Sequence, residues 1–106
     1  MKRPPSFSKR DFERVLSTGT RTRARGGTFY VAPGADPAAR ARLGLAVPSR
    51  VGGAVVRNRI KRRLRASFVR ASLPAGLDVV VRARAEAATM DFQELESTLA
   101  GLGGAS

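Results

Sequence analysis

Ala54-Val-Val-Arg-Asn-Arg-Ile-Lys-Arg-Arg-Leu-Arg-Ala-Ser-Phe-Val-Arg-Ala71 is the stretch on which the reading of this sequence turns. Val56, Ile60, Leu64 and Phe68 recur every fourth residue, and at about 100° per residue they fall within one arc of roughly 120°. That spacing predicts a helix over 54–71 with one apolar face packed on a core. Asn58, Arg62 and Arg65 lie opposite the arc, while Arg59, Arg63 and Lys61 flank it. From 57 to 70 there are seven cations and no acid, so no i,i+4 ion pair relieves the repulsion within the helix. A solvated helix face ordinarily mixes both signs. This one wants an anion. Arg57 is the exception: its angle places it inside the apolar arc, either through an irregular helix start or with its stem buried along a groove edge.

Working outward, Gly52-Gly53 opens the helix from a loop, and Pro74 with Gly76 closes it. Leu43–Val47 is apolar and bounded by Arg42 and Pro48, which predicts a mostly buried strand. Leu77–Ala83 is a second, Val-rich strand. Nearer the N-terminus, Ser8 can cap a helix over 9–18 that carries Phe12, Val15 and Leu16 and stops at Gly19. Two strands are expected between there and residue 42, one in the weakly patterned stretch from Thr20 and one over Thr28–Ala32, before the turn residues Pro33-Gly34 and Asp36-Pro37. Asp91–Leu102 repeats Phe92, Leu95, Leu99 and Leu102 at helical spacing. The expected order is α-β-β-β-α-β-α, a single α+β domain over 1–106, with 1–6 and 101–106 expected to fray because little apolar holds them down.

Composition narrows the function. Twenty Lys and Arg face eight Asp and Glu, a net charge of +12, and such a field self-repels unless a polyanion neutralises it. The imbalance is local: residues 1–70 carry 18 basic and 3 acidic side chains, whereas 71–106 carry 2 and 5. The ligand surface therefore belongs to the first two thirds. With no Cys and no His, the chain lacks a thiolate nucleophile, the commonest general base and the commonest transition-metal ligands. The only helical i,i+3 carboxylate pair, Asp91 with Glu94, lies in the acidic third and is better suited to capping the last helix than to nuclease chemistry. No purely aliphatic run is longer than the three residues of Val79–Val81, far too short for a membrane span; nothing near the N-terminus reads as a signal peptide, so a cytoplasmic location without membrane contact is expected.

The stretch from Arg42-Leu-Gly-Leu-Ala-Val-Pro-Ser-Arg-Val-Gly-Gly-Ala-Val-Val through Arg57-Asn58-Arg59 to Arg65 resembles the signature of the bacterial ribonuclease P protein subunit. Asp11-Phe12 with Val15 resembles that family's first helix, Phe29-Tyr30 its second strand, and Asp78–Arg84 its last strand. The chain departs from the family pattern at Pro48-Ser49-Arg50, where two lysines often follow a serine, at Gly53 and Ala66, which are often basic and acidic, and at Leu16, often aromatic.

The resemblance implies a mixed four-stranded sheet whose basic helix joins two parallel strands by a left-handed crossover, the form shared with the second domain of a small-subunit ribosomal protein. It implies a protein that binds the catalytic RNA of ribonuclease P and the 5′ leader of precursor tRNA. The RNA cleaves the phosphodiester with Mg²⁺ bound mainly by the RNA, and the isolated protein is expected to be inactive. It assigns Arg57, Asn58, Arg59, Lys61, Arg62, Arg63 and Arg65 to the RNA-binding face, and Phe12, Leu16, Tyr30, Ser49 and Arg50 to the leader cleft. No catalytic residue, no protein-held metal and no obligate protein partner is implied. Unpaired bases stack on exposed aromatics, yet Phe12 beside Val15 equally fits an interior position. Tyr30 is placed by counting from Gly19, and a shift of one residue selects Phe29. Arg21, Arg23 and Arg25 are expected to add general affinity. The competing readings are a structural protein of ribosomal RNA and, third, a DNA-binding module.

Overall fold

In the computed structural model, which describes residues 7–103, Ser8 caps α1 (Lys9–Thr18) by accepting from the Asp11 N–H while the Asp11 carboxylate accepts from the Ser8 N–H. This reciprocal box satisfies two otherwise orphaned donors. Gly19 ends α1, and its N–H reaches the Val15 carbonyl at 2.8 Å. The chain continues through β1 (Thr20–Ala24), β2 (Gly27–Pro33), β3 (Arg42–Ala46), α2 (Ala54–Ala71), β4 (Leu77–Ala83) and α3 (Phe92–Gly103). The sheet order is β1-β2-β4-β3; β1 and β4 flank β2 antiparallel, and β3 runs parallel to β4. A parallel neighbour requires a crossover, and α2 supplies it.

Period-two alternation sorts the strands onto two faces. On one face Phe29, Val79 and Val81 meet Ile60 and Leu64 of α2 and Leu95, Leu99 and Leu102 of α3. On the other, Tyr30, Ala32 and Val80 meet Val15 of α1, with Phe7, Phe12 and Leu16 against them. Gly44 of β3 makes that second contact possible, since a Cβ there would lie 2.7 Å from Phe7 and 2.9 Å from Phe12. β1 is exposed along most of its length, and the arginines it carries guard a sheet edge against unwanted pairing.

The structure moves several expected boundaries. β3 is Arg42–Ala46 rather than 43–47, because Arg42 is drawn into register with Asp78. The first residue of α3 is Phe92, with the Asp91 side chain accepting from the Gln93 N–H outside the helix. Fraying from residue 101 does not hold: α3 continues to Gly103 and Leu102 is buried. Residues 1–6 and 104–106 lie outside the described residues. Two short 3-10 turns, Ser49–Val51 and Ala85–Ala88, were not expected. The buried stripe of α2 is rotated from the expected one, running through Ile60, Leu64 and Ser67 while Val56 is exposed. Ser67 is admitted because its hydroxyl donates to the Arg63 carbonyl at 2.7 Å, so no polar group is left orphaned.

Candidate nucleic-acid interface

The outer face of α2 offers one candidate surface. Asn58, Arg59, Arg62 and Arg65 are exposed and Arg57 and Lys61 half-buried, and Asn58, Lys61, Arg62 and Arg65 share a shallow hollow with Val55. Among the described residues none of these cations has an ion-pair partner. Gly53 caps α2 with no side-chain hydrogen bond, and the first turn carries no acid, so nothing in the chain offsets the positive end of the helix dipole just before Arg57. The Arg57 Nε is buried without an acceptor, which fits the buried-stem alternative for that residue.

Arg63, expected on the same face, makes contacts within the fold. Its Nε donates to the Ala87 carbonyl at 3.1 Å and its Nη2 to the Met90 carbonyl, and its guanidinium lies 6.0 Å from the Phe92 ring. Arg70 reaches the same ring from 5.8 Å and pairs with Glu96 at 3.3 Å. Both side chains clamp α3 and the preceding turn onto α2. Among the arginines expected to add affinity, Arg25 likewise pairs with Glu94, at 3.4 Å.

The second candidate surface is the part of the sheet that α1 leaves uncovered. Pairing aligns Arg21, Tyr30, Val80 and Gly44 in one row across the four strands, and Arg23, Thr28, Arg82 and Ala46 in the next. From these rows Tyr30, Thr28 and Ala46 floor an open groove of about 1000 Å³, which is rimmed by Arg21, Arg23, Arg50, Arg82 and Arg84. Register puts Tyr30 on the groove face, though only 8% exposed within its cluster with α1, and Phe29 fully buried on the opposite face. Thus Tyr30 and Arg50 line one groove. Phe12 and Leu16 stand apart from that lining on α1, half-buried in its cluster with the sheet, and Phe12 meets Phe7 edge-on at 5.0 Å. Ser49 is exposed in the turn beside Arg50. Arg82 and Arg84 were missed by the sequence reading, although Arg82 directly follows Val79–Val81 near the end of a central strand, where only an open face tolerates a cation.

A third cluster fixes α1 over the sheet. Asp78 of β4 is buried and takes a two-pronged contact from Arg42, Nε and Nη2 each donating at 2.9 Å. Arg14 of α1 also donates to it, and its second nitrogen reaches the Pro33 carbonyl at 2.7 Å. Asp11 stands 3.2 Å from Arg42. The Ser8 N–H and hydroxyl, helped by Arg42, lower the Asp11 pKa to about 2. For Asp78, the Arg42 hydrogen bonds and then those of Arg14 outweigh burial and hold the carboxyl below its ordinary range, and Asp78 in turn raises the Arg42 guanidinium. Arg14 and Arg42 are therefore committed to the fold.

The comparisons with known proteins bear on what these surfaces serve. The family model described as Ribonuclease P matches residues 7–104. The ribonuclease P protein component of Shouchella clausii is 42% identical over 104 residues, covering 93% of this chain and 83% of that protein. The chain belongs to the ribonuclease P protein family. The ribonuclease P protein component of Dehalococcoides mccartyi is 41% identical over 103 residues, 91% of this chain and 79% of its own. Solved ribonuclease P proteins share the fold. That of Thermotoga maritima matches with a TM-score of 0.77 at 25% identity over 96% of each chain. That of Staphylococcus aureus matches with a TM-score of 0.70 at 31% identity over 87% of this chain and 84% of its own. This ribonuclease P family member contains no group of three or more Asp or Glu placed to hold a metal ion among its described residues. No helix among them is long and apolar enough to cross a membrane.

Proposed function

We propose that the chain is the protein subunit of a ribonuclease P in which α2 docks on the catalytic RNA and the sheet groove holds the 5′ leader of precursor tRNA. The observation that carries this reading is the pairing of two cationic surfaces with different shapes. The α2 face is the open side of one helix with only a shallow hollow in it, and its guanidinium forks suit adjacent phosphates of a folded RNA. The groove is concave, floored by Tyr30 and Thr28 and rimmed by arginines, a shape for an unpaired strand whose bases expose their faces. Chemistry in this reading belongs to the RNA, which supplies Mg²⁺-dependent cleavage. Three of the carboxylates, Asp78, Asp11 and Glu94, are engaged by arginines rather than left open. The protein adds affinity and positioning, working where the RNA and its substrate are made.

Cleavage of leader-bearing and leaderless precursor tRNA, with and without the protein across a Mg²⁺ series, tests the reading. The protein should lower the Mg²⁺ requirement and favour the leader-bearing substrate, and alone it should cut neither. Equal enhancement of both substrates contradicts the groove assignment, and cutting by RNA-free protein contradicts the division of labour. Competition among the ribonuclease P RNA, ribosomal RNA and duplex DNA at about 150 mM salt separates this function from the other two nucleic-acid readings.

A further inference from the structure

Glu86 stands where a phosphate track has no use for it. The groove is rimmed by five arginines, and Glu86 is the one carboxylate among its lining residues. It belongs to the 3-10 turn Ala85–Ala88, whose backbone is held from several sides. The Glu86 carbonyl accepts from the Thr89 and Met90 N–H groups, Ala87 beside it is fully buried, and Arg63 grips the Ala87 carbonyl. The side chain itself is 47% exposed, and its one ion-pair contact, to Arg84, is at 4.0 Å. At that distance and exposure the contact adds little to stability. A rigid turn thus presents a carboxylate with its acceptor capacity unspent, and toward phosphates its charge is repulsive.

A carboxylate lined up with a base has a different value. Its two oxygens accept side by side, and in an unpaired strand the Watson–Crick edge is free to be read. Guanine presents two adjacent donors there, N1–H and the N2 amine. Adenine and cytosine each present a single exocyclic amine beside an acceptor. Uracil presents one N–H between two carbonyl oxygens, which a carboxylate repels. We propose that Glu86 is a specificity-determining residue that selects guanine at one position of the strand held in the groove, while the arginines hold the phosphates. This inference rests on the leader reading of the groove.

The test uses the reconstituted RNA–protein holoenzyme and precursor tRNAs in which each leader position is set in turn to each of the four bases. At one position the wild type should favour guanine over uracil by about tenfold in kcat/KM, the scale of one good two-pronged base contact. Glu86→Gln keeps the shape but replaces one acceptor with a donor, and should flatten that preference to below about twofold without altering the other positions; Glu86→Asp should retain part of it. A merely structural role would lower cleavage of all four substrates together. An unchanged base profile in Glu86→Gln, or no guanine preference at any position in the wild type, overturns the inference while leaving the leader reading intact. If leader-bearing and leaderless substrates are bound alike, the leader reading itself falls, and the inference with it.

Discussion

Arginine meets two fates in this molecule. At the α1–sheet junction, Arg14 and Arg42 converge on the buried Asp78, and at the α2–α3 junction Arg63 is held by two backbone carbonyls. On the outer face of α2, Arg59, Arg62 and Arg65 are exposed with no counter-charge among the described residues. The difference separates what the fold consumes from what it offers. A guanidinium whose donors are filled from within contributes to stability, and one left open is available to a polyanion, at some cost in self-repulsion. Residue type alone cannot distinguish the two.

The comparison breaks most visibly at Asp78. Asp78→Ala takes the buried acceptor from Arg14 and Arg42 and leaves them only the more exposed Asp11, and removing one partner of a buried ion pair costs about 3–5 kcal/mol. Denaturant unfolding should show that loss; a variant as stable as the wild type would mean the cluster is not part of what holds α1 down. Arg63→Ala comes next, at about 1–3 kcal/mol, because charged hydrogen bonds to two carbonyls are lost. Its affinity for the catalytic RNA, measured where it remains folded, should stay within about twofold of wild type. A large affinity loss with unchanged stability would move Arg63 back to the interface.

Acid sharpens the same contrast. Asp11 and Asp78 titrate in the folded protein below the ordinary carboxylate value of about 3.9, so folding favours their ionised forms. That stability is fully present above about pH 4 and is lost as pH falls through the folded values, toward about 2 for Asp11. With no histidine in the chain, Tm should stay nearly level from pH 8 to 5 and drop below about 4. A drop centred near pH 6 would contradict this assignment.

How far the sequence could be read depended on how far apart the interacting residues lie along it. The limits of α2 were legible because Gly52-Gly53, Pro74 and Gly76 bracket a four-residue repeat, and the cation run within it needed no tertiary knowledge. The Asp78 cluster was not legible, since its partners come from 64 and 36 residues away. Arg63 escaped because its acceptors lie in and just beyond a 3-10 turn that no sequence pattern marks. The choice between Phe29 and Tyr30 hung on a register of one residue, which the pairing of β2 with its neighbours decides. Arg82 was readable in principle as a cation inside a central strand, directly after Val79–Val81, and Glu86 only from the groove it lines.

The smallest effect on stability is expected where the effect on binding is greatest. Arg59→Ala with Arg62→Ala should change unfolding free energy by no more than about 0.5 kcal/mol, as for other surface changes. The decisive measurement is the salt dependence of affinity for the catalytic RNA, wild type against this double variant. If about five phosphates are neutralised, the wild type should give a log–log slope of order −4, and the variant a slope shallower by about two. Equal slopes, or a wild-type slope near zero, would contradict the claim that the open arginines of α2 are the RNA-binding surface.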